Sequence, residues 1–220
     1  MKNLNQLLLN FKNNENFNYN DFYVTKSNYF AFQLIEKWPK WEKNILNIYG
    51  EKFSGKSHLS NIFAKKHKAK MILEKDFNDK YLREFKVIQN IILDNFENVC
   101  DENLLYSLFN LIDQDNKFLI INSVLPINEM NFKLKDLKSR AKNCLVAKIE
   151  KPDDQLIKVI IAKNFSDRQI EIDKKLIEFA VKRISRSYGK IFEFIYKIDE
   201  MSLKMKKSID LKTVKKVLKV

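Results

Sequence analysis

One stretch of the sequence, directly after the apolar run 45–49, reads Gly50-Glu51-Lys52-Phe53-Ser54-Gly55-Lys56-Ser57. It satisfies the pattern G-x-x-x-x-G-K-[ST], in which a glycine-rich loop joins a strand to the start of a helix. Backbone N–H groups of such a loop and of the helix N-terminus bind anionic phosphates. Two of the three glycines of the chain fall in this stretch, which argues against a chance match. The loop therefore predicts a nucleotide-phosphate site.

The residue types of this loop predict separate roles for its members. Gly50 and Gly55 permit the tight turn, Lys56 places a positive charge on the β and γ phosphates, and Ser57 offers its hydroxyl to Mg²⁺. His58 follows, and we expect it at the helix N-terminus beside the nucleotide rather than as a catalytic base. The expected cofactors are ADP or ATP, bound by residues 50–58, and Mg²⁺.

Apolar runs alternate with amphipathic stretches along the chain up to residue 151. Continuous apolar runs are typical of strands buried on both faces, and amphipathic stretches between them indicate crossover helices. The alternation predicts the α/β fold class with a parallel sheet. The predicted strands are 45–49, 70–73, 87–93, 118–121 and 144–149, and the predicted helices are 29–38, 57–67 and 103–113.

The pattern changes after Lys151-Pro152, where no strand-like run remains. The stretches 153–165, 173–184, 188–205 and 210–218 have apolar residues at helical spacing, and Asp153, Asp173 and Asp210 stand at N-cap positions. We therefore expect three parts: a tail over 1–20, an α/β core over 21–151 and a small all-α subdomain over 152–220.

The charge of the chain is strongly positive, with 41 Lys and Arg against 28 Asp and Glu and a formal net charge of +13. Such a balance favours nucleic acid as a partner, although a coding bias toward A/T-rich codons would also enrich lysine. Residues 151–220 hold 18 Lys and Arg against 10 Asp and Glu, so the subdomain is a candidate DNA-facing flank. The two cysteines, Cys100 and Cys144, fit a reducing, cytoplasmic setting. An apolar run of about 20 residues, as a membrane span needs, is absent from the sequence.

Two further strand ends carry polar residues suited to a nucleotide site. Asp94 ends the apolar run 91–93 and is the predicted Walker B carboxylate, which binds Mg²⁺ together with Ser57. Asn95 follows where many ATPases carry a second acid, which argues against fast intrinsic hydrolysis. Asn122 or Ser123, after the run 118–121, could orient water beside the γ phosphate, the role called sensor 1; either could equally form a turn.

Arg140 precedes the last predicted strand. An arginine at a subunit edge can reach a neighbour's γ phosphate and stabilise its developing charge, as an arginine finger does. An isolated surface arginine is more often solvated, so the residue alone leaves both interpretations open.

Together these residues resemble a known family. The loop continuing as Ser57-His58-Leu59, the pair Asp94-Asn95 and the stretches 136–140 and 148–154 are similar to the DnaA-type AAA+ ATPases, and most similar to the Hda family of regulatory inactivators of DnaA. The resemblance covers nearly the whole chain. It implies a five-stranded parallel αβα P-loop (AAA+) core followed by a helical lid, and it implies that Arg140 acts in trans as an arginine finger on DnaA. A homodimer is a further expectation.

The tail supports the same subgroup. Proteins of the Hda family begin with a linear motif that binds the sliding clamp, the beta subunit of DNA polymerase III, and Gln6-Leu7-Leu8-Leu9-Asn10-Phe11 is similar to its Q-x-x-L-x-F form. Leu9 and Phe11 would fill an apolar pocket while the Gln6 amide binds at its rim. The alternative is an apolar segment packed on its own domain.

Two departures from the DnaA pattern affect the expected function. The lid arginine called sensor 2 is replaced by Gly189, so Arg186, three residues earlier, is the predicted substitute. No residues follow Val220 for a helix-turn-helix domain, so we expect that the chain is not a complete initiator. The expected function is stimulation of ATP hydrolysis on DnaA; the alternatives are a self-acting AAA+ ATPase or loader, or a nucleotide-gated clamp adaptor.

Overall fold

A computed structural model describes residues 21–205 and 209–219 of the chain. The strands are β1 (Ile45–Tyr49), β2 (Lys70–Leu73), β3 (Asn90–Phe96), β4 (Phe118–Ser123) and β5 (Leu145–Lys148). The helices are α1 (Tyr29–Lys37), α2 (Lys56–His67), α3 (Asp79–Glu84), α4 (Glu102–Gln114), α5 (Lys135–Lys142), α6 (Asp154–Asp167), α7 (Lys174–Val181), α8 (Tyr188–Met205) and α9 (Leu211–Leu218). The predicted clamp motif, Gln6 to Phe11, lies outside the described residues.

The strands form one parallel sheet in the order β2-β3-β4-β1-β5. Strand β4 lies between β1 and β3, and Ile48 pairs with Asn122 while Leu73 pairs with Asp94. Because all the strands run in the same direction, the loop after β1 and the polar residues ending β3 and β4 meet at one edge of the sheet. This edge carries the candidate site.

Two apolar cores cover the two faces of the sheet. Alternate residues of the central strands point to opposite faces, so Leu93 packs with α4 and α5 while Ile92 packs with α1 and α2. A third core lies inside the bundle α6–α9. Leu156 of α6 and Tyr188 of α8 are buried in the core beneath α1 and α2, so the bundle packs directly on the α/β part.

The predicted fold class, a five-stranded parallel α/β core followed by a helical C-terminal part, is confirmed. The expected N-caps are also present, because Asp153, Asp173 and Asp210 each accept a backbone N–H from the following turn at 2.8 Å. None of the helices in the described part of the chain is long and apolar enough to cross a membrane.

The predicted bounds of β3 were wrong, because that strand begins at Asn90 and continues to Phe96. Val87 ends a short 3₁₀ turn and is 89% exposed. The pairing of β3 with β4 shifts in register between Leu93 and Phe96. The strand therefore continues beyond Asp94, and the Phe96 side chain is buried. Two helices, α3 and α5, were not predicted as elements.

Candidate nucleotide-binding site

The loop between β1 and α2 is shaped by close backbone approach. A Cβ on Gly50 would lie 2.8 Å from the carbonyl oxygen of Ile149, closer than real Cβ contacts come. Gly55 has a φ of 93° and forms the N-cap of α2, a conformation that L side chains rarely adopt. These two positions allow the loop to turn directly into the helix, so the first N–H groups of α2 face the loop, as a phosphate cradle requires.

Lys56, the lysine of the loop, is buried against backbone oxygens. Its Nζ donates to the carbonyl oxygens of Gly50 and Glu51, both at 2.8 Å, and to Ser54 Oγ at 3.4 Å. Burial lowers its pKa from 10.5 to about 8, against the opposing effect of the Asp94 and Glu51 carboxylates. The ammonium group thus lies inside the loop, where phosphate oxygens would bind.

Asp94, at the end of β3, lies beside the first turn of α2. Its Oδ1 accepts the hydroxyl of Ser57 at 3.0 Å and the side-chain amide of Asn122 at 2.8 Å, and the residue is 4% exposed. A hydroxyl and a carboxylate oxygen held this close are ligands that Mg²⁺ accepts, with nucleotide phosphates and water filling the remaining positions. In the described residues, no group of three or more His, Cys, Asp or Glu side chains could hold a metal without such added ligands.

The two predicted sensor 1 residues point in different directions. Asn122 faces the site, because its amide reaches Asp94 and its Oδ1 lies 3.0 Å from Ser60 Oγ on α2. Ser123 instead accepts from Asn47 Nδ2 at 2.8 Å and donates to the carbonyl of Leu125 at 2.5 Å. Asn122 is therefore the one of the pair positioned next to the carboxylate.

Asn95 follows Asp94 in a left-handed backbone conformation, with a φ of 54°. It is exposed and lies in the segment where the register of β3 shifts. Asparagine tolerates this conformation better than most L residues. The position after Asp94 is thus held by a neutral amide where the register of the strand shifts.

His58 packs against an aromatic residue that sequence reasoning missed. The ring of Phe22 meets the His58 ring edge-on at 5.3 Å between centroids, and it lies 3.4 Å from where a Cβ on Gly55 would be. Phe22 thus brings the segment before α1 against the loop. Nothing in the local pattern of the sequence marks this residue, since the contact spans more than 30 positions of chain.

The helical bundle α6–α9, called the lid below, contacts the loop at Glu51 and Phe53. The sequence predicts these two residues as nucleotide-binding residues, and it does not predict their contacts with the lid. The Glu51 carboxylate accepts from Ser187 Oγ at 2.9 Å and from the Tyr188 backbone N–H at 3.2 Å. Phe53 lies 5.4 Å, centroid to centroid, from Phe192 of α8.

The predicted sensor 2 substitute, Arg186, lies just before these contacts but points elsewhere. Its guanidinium pairs with Asp154 Oδ1 at 3.0 Å, and both side chains are exposed. Lys52, also predicted in the cofactor site, pairs with Glu97 at 3.5 Å on the surface. Gly189 has open space, because the nearest atom to an added Cβ is Ser187 Oγ at 3.8 Å.

Arg140 lies on α5, away from the loop of residues 50–57 that leads from β1 into α2, which is called the phosphate loop below. It pairs with Asp113 at the end of α4, and its guanidinium carbon is 5.5 Å from the centroid of the Tyr106 ring. Together with Asn44 and Ile45 it lines a small depression at the amino end of β1. Since the loop follows the carboxyl end of β1, Arg140 and the loop lie at opposite edges of the sheet.

The sheet order, the loop after β1 and the helical lid define a P-loop fold of the AAA+ class. No family model matches the chain. Among curated proteins, the chain is similar to replication initiator proteins. The chain is 22% identical to the chromosomal replication initiator protein DnaA of Caldanaerobacter subterraneus subsp. tengcongensis, over 94% of this chain and 52% of that protein. It is also 26% identical to an uncharacterized protein of Haemophilus influenzae, over 78% of this chain and 80% of the other. The chain spans about half the length of the first DnaA relatives that it matches.

Solved structures show the same fold. Domain III of the Thermotoga maritima replication initiation protein DnaA superposes with a TM-score of 0.77 at 21% identity, covering 94% of this chain and 97% of that one. The replication initiator DnaA bound to AMPPCP and single-stranded DNA superposes with a TM-score of 0.69 at 18% identity, covering 88% of this chain and 69% of that one.

Proposed function

We propose that the chain is a DnaA-related AAA+ regulator of replication initiation of the Hda type. In this proposal it binds ADP or ATP with Mg²⁺ at residues 50–58, binds the sliding clamp through Gln6, Leu7, Leu9 and Phe11, and stimulates hydrolysis of ATP bound to DnaA. The single observation that carries the proposal is the position of Arg140 at the sheet edge opposite the phosphate loop.

The nucleotide part rests on the geometry of the loop. The N–H groups at the start of α2 would bind the phosphates, Lys56 would place its charge on them, and Ser57 and Asp94 would hold Mg²⁺, directly and partly through water. Bound Mg²⁺ neutralises charge on the phosphate oxygens. Related DnaA structures bound to AMPPCP support an adenine nucleotide as the ligand.

The position and charge of Arg140 support the proposed role in trans. A guanidinium at the amino end of β1 cannot contact phosphates held after the carboxyl end of that strand, so any nucleotide that it serves belongs to another subunit. In other nucleotide hydrolases an arginine supplied in trans raises the rate by about 10³ to 10⁵. Arg140 is 35% exposed, and Asp113 and Tyr106 hold its side chain in a fixed direction at the surface.

The test is the conversion of DnaA-bound ATP to ADP in the presence of clamp, DNA and this protein. The wild-type chain is expected to stimulate conversion, and Arg140→Ala is expected to abolish the stimulation. Lys138→Ala is a matched control, because Lys138 is an exposed cation on the same helix. Full stimulation of ATP conversion by Arg140→Ala would contradict the proposal that Arg140 is an arginine finger.

DNA is proposed as an additional partner of the lid, and the distribution of ion pairs supports α9 as its location. Lys190, Lys197 and Lys204 of α8 pair with glutamates on the same helix. By contrast Lys212, Lys215 and Lys216 of α9 are exposed and form no ion pair within the described residues. Removing one lysine that binds a DNA phosphate should reduce the slope of log affinity against log salt by about 1. The double variant Lys215→Ala with Lys216→Ala therefore measures the contribution of α9.

The ion pair of Arg140 favours a second candidate, a nucleotide-gated clamp adaptor. Asp113 already pairs with the guanidinium, and in an adaptor this pair would only hold α5 against α4. An adaptor predicts clamp binding that depends on nucleotide, with DnaA turnover unchanged by the protein. The self-acting ATPase is less well supported, since a neutral amide, Asn95, stands after Asp94; steady-state hydrolysis by the isolated chain that is lost in Lys56→Ala would favour it.

A further inference from the structure

The Glu51 carboxylate ties the phosphate loop to the lid. Glu51 Oε2 accepts from Ser187 Oγ at 2.9 Å and from the N–H of Tyr188, the first residue of α8, at 3.2 Å. A carboxylate at this place satisfies an N–H that has no partner within the helix, and its charge is favourable at the positive end of the helix dipole. Glu51 is therefore the side-chain cap of α8, supplied from 137 residues before its first residue, Tyr188.

The main chain of the same residue holds the loop lysine. The Glu51 carbonyl oxygen accepts from Lys56 Nζ at 2.8 Å. Glu51 is thus bound to the lid through its side chain and to the phosphate-binding lysine through its backbone. The two bonds are therefore linked through a single residue.

Phe53 adds an apolar contact to the same helix. Its ring meets Phe192, four residues after Tyr188 and so on the same face of α8, with 5.4 Å between ring centroids. Phe53 has a φ of 67°, a conformation that costs free energy for a residue with a side chain, and it is 65% exposed. The loop therefore meets the first two turns of α8 at two points.

Two other contacts near the start of α8 do not involve the phosphate loop. Tyr188 donates its hydroxyl to the carbonyl of Glu150 at 3.0 Å, and Arg186 pairs with Asp154 on the surface. The first bond joins the lid to the segment that follows β5, whereas the second lies within the bundle, because Asp154 is the first residue of α6. They hold the lid in place but have no direct link to Lys56.

We propose that Glu51 is a positioning residue that couples occupation of the phosphate loop to the position of the lid. The proposal rests on nucleotide binding at residues 50–58. When Lys56 turns from the Glu51 carbonyl to a phosphate oxygen, the peptide that carries Glu51 is released from that restraint, and the carboxylate transmits the change to α8. The coupling is built from hydrogen bonds within the chain and requires no arginine at position 189.

The experiment is hydrogen exchange of the full chain with and without ADP and Mg²⁺, read on peptides covering 50–60 and 183–195. In the wild type, ADP is expected to slow exchange in both peptides by about twofold or more, because ligand binding suppresses local opening. In Glu51→Ala, compared with the wild type at ADP concentrations that saturate each protein, the loop peptide should be protected while the ADP-dependent change in the lid peptide disappears. Ser187→Ala removes the partner of Glu51 from the lid side and should reproduce part of this effect, and Glu51→Gln, whose amide oxygen can still accept, should retain part of the response.

Glu97→Gln is the matched control, since it removes an exposed carboxylate near the loop whose ion pair, among the described residues, is with Lys52. It should leave both ADP-dependent changes intact. Protection of the loop together with an unchanged lid response in Glu51→Ala would overturn the coupling and leave nucleotide binding standing. Absence of ADP protection in both wild-type peptides would overturn nucleotide binding, and the coupling with it.

Discussion

Asn122 donates its side-chain amide to Asp94 at 2.8 Å, across the carboxyl ends of the neighbouring strands β4 and β3. The accepting atom, Asp94 Oδ1, also accepts from Ser57 at the start of α2. One carboxylate oxygen therefore joins three elements that converge at the sheet edge. This arrangement fixes the direction of the carboxylate before any ligand binds, which lowers the ordering cost of binding.

The first prediction concerns Asp94→Asn. The substitution keeps the size of the side chain and an acceptor oxygen but removes the negative charge that Mg²⁺ requires. We expect ADP affinity in Mg²⁺ to fall about tenfold or more, equivalent to about 1.4 kcal/mol, with little change in EDTA. Titration calorimetry under both conditions measures this, and Asp113→Asn, at the opposite edge of the sheet, serves as the control. An equal reduction with and without Mg²⁺ would show that Asp94 supports the fold instead of the metal.

The second prediction concerns pH. Burial holds the pKa of Lys56 at about 8, and bound phosphates raise it because their charge favours the ammonium form. Below about pH 8 the lysine is already protonated, so affinity for ADP should be constant there. Above it, binding takes up a proton, and affinity should fall by at most about tenfold per pH unit until the pKa of the complex is passed.

The measurement is the ADP dissociation constant from about pH 7 to about pH 9.5, with proton uptake read from calorimetry in buffers of different ionisation heat. Lys56→Arg removes the titration, because a guanidinium stays charged throughout this range. Constant affinity in the wild-type chain up to the top of the range would contradict the assignment.

The third prediction compares two glycines. Gly55→Ala forces a side chain into a φ of 93°, so it should destabilise the fold by about 1–2 kcal/mol. Gly189→Ala stands in a helix with open space around the added carbon, and it should stabilise by about 0.5–1 kcal/mol. Urea unfolding of the two variants gives both values, and destabilisation by Gly189→Ala would show that position 189 needs glycine for a reason other than backbone freedom.

The sequence was sufficient for features set by local pattern. The strand–loop–helix context of residues 45–67, four of the five strands to within two residues, and the caps at Asp153, Asp173 and Asp210 all follow from periodicity and residue type. The bounds of β3 do not, because the register shift near Asn95 depends on pairing with β4. Helix α3 has six residues, too few for a periodic pattern.

The contacts that shape the candidate site could not be predicted from local sequence patterns. Glu51 with Ser187, Arg140 with Asp113 and Phe22 with His58 join residues that are 27 to 136 positions apart, or that lie on elements whose angle is set by packing. The same limit left Asn122 and Ser123 as alternatives. Their opposite directions follow from the alternation of side chains along β4, which becomes decisive only once the neighbouring strands are known.

The most direct test of the central claim, a trans-acting Arg140, is a single-turnover measurement. DnaA is loaded with labelled ATP, freed of excess nucleotide, and mixed with DNA-loaded clamp and this protein in unlabelled ADP, so that labelled ADP arises only in the DnaA site. We predict hydrolysis at least about 10³-fold faster than without the protein, if Arg140 acts as trans arginines do elsewhere, with the unstimulated rate in Arg140→Ala and full stimulation in Lys138→Ala. Equal rates with the wild type and Arg140→Ala would contradict the account.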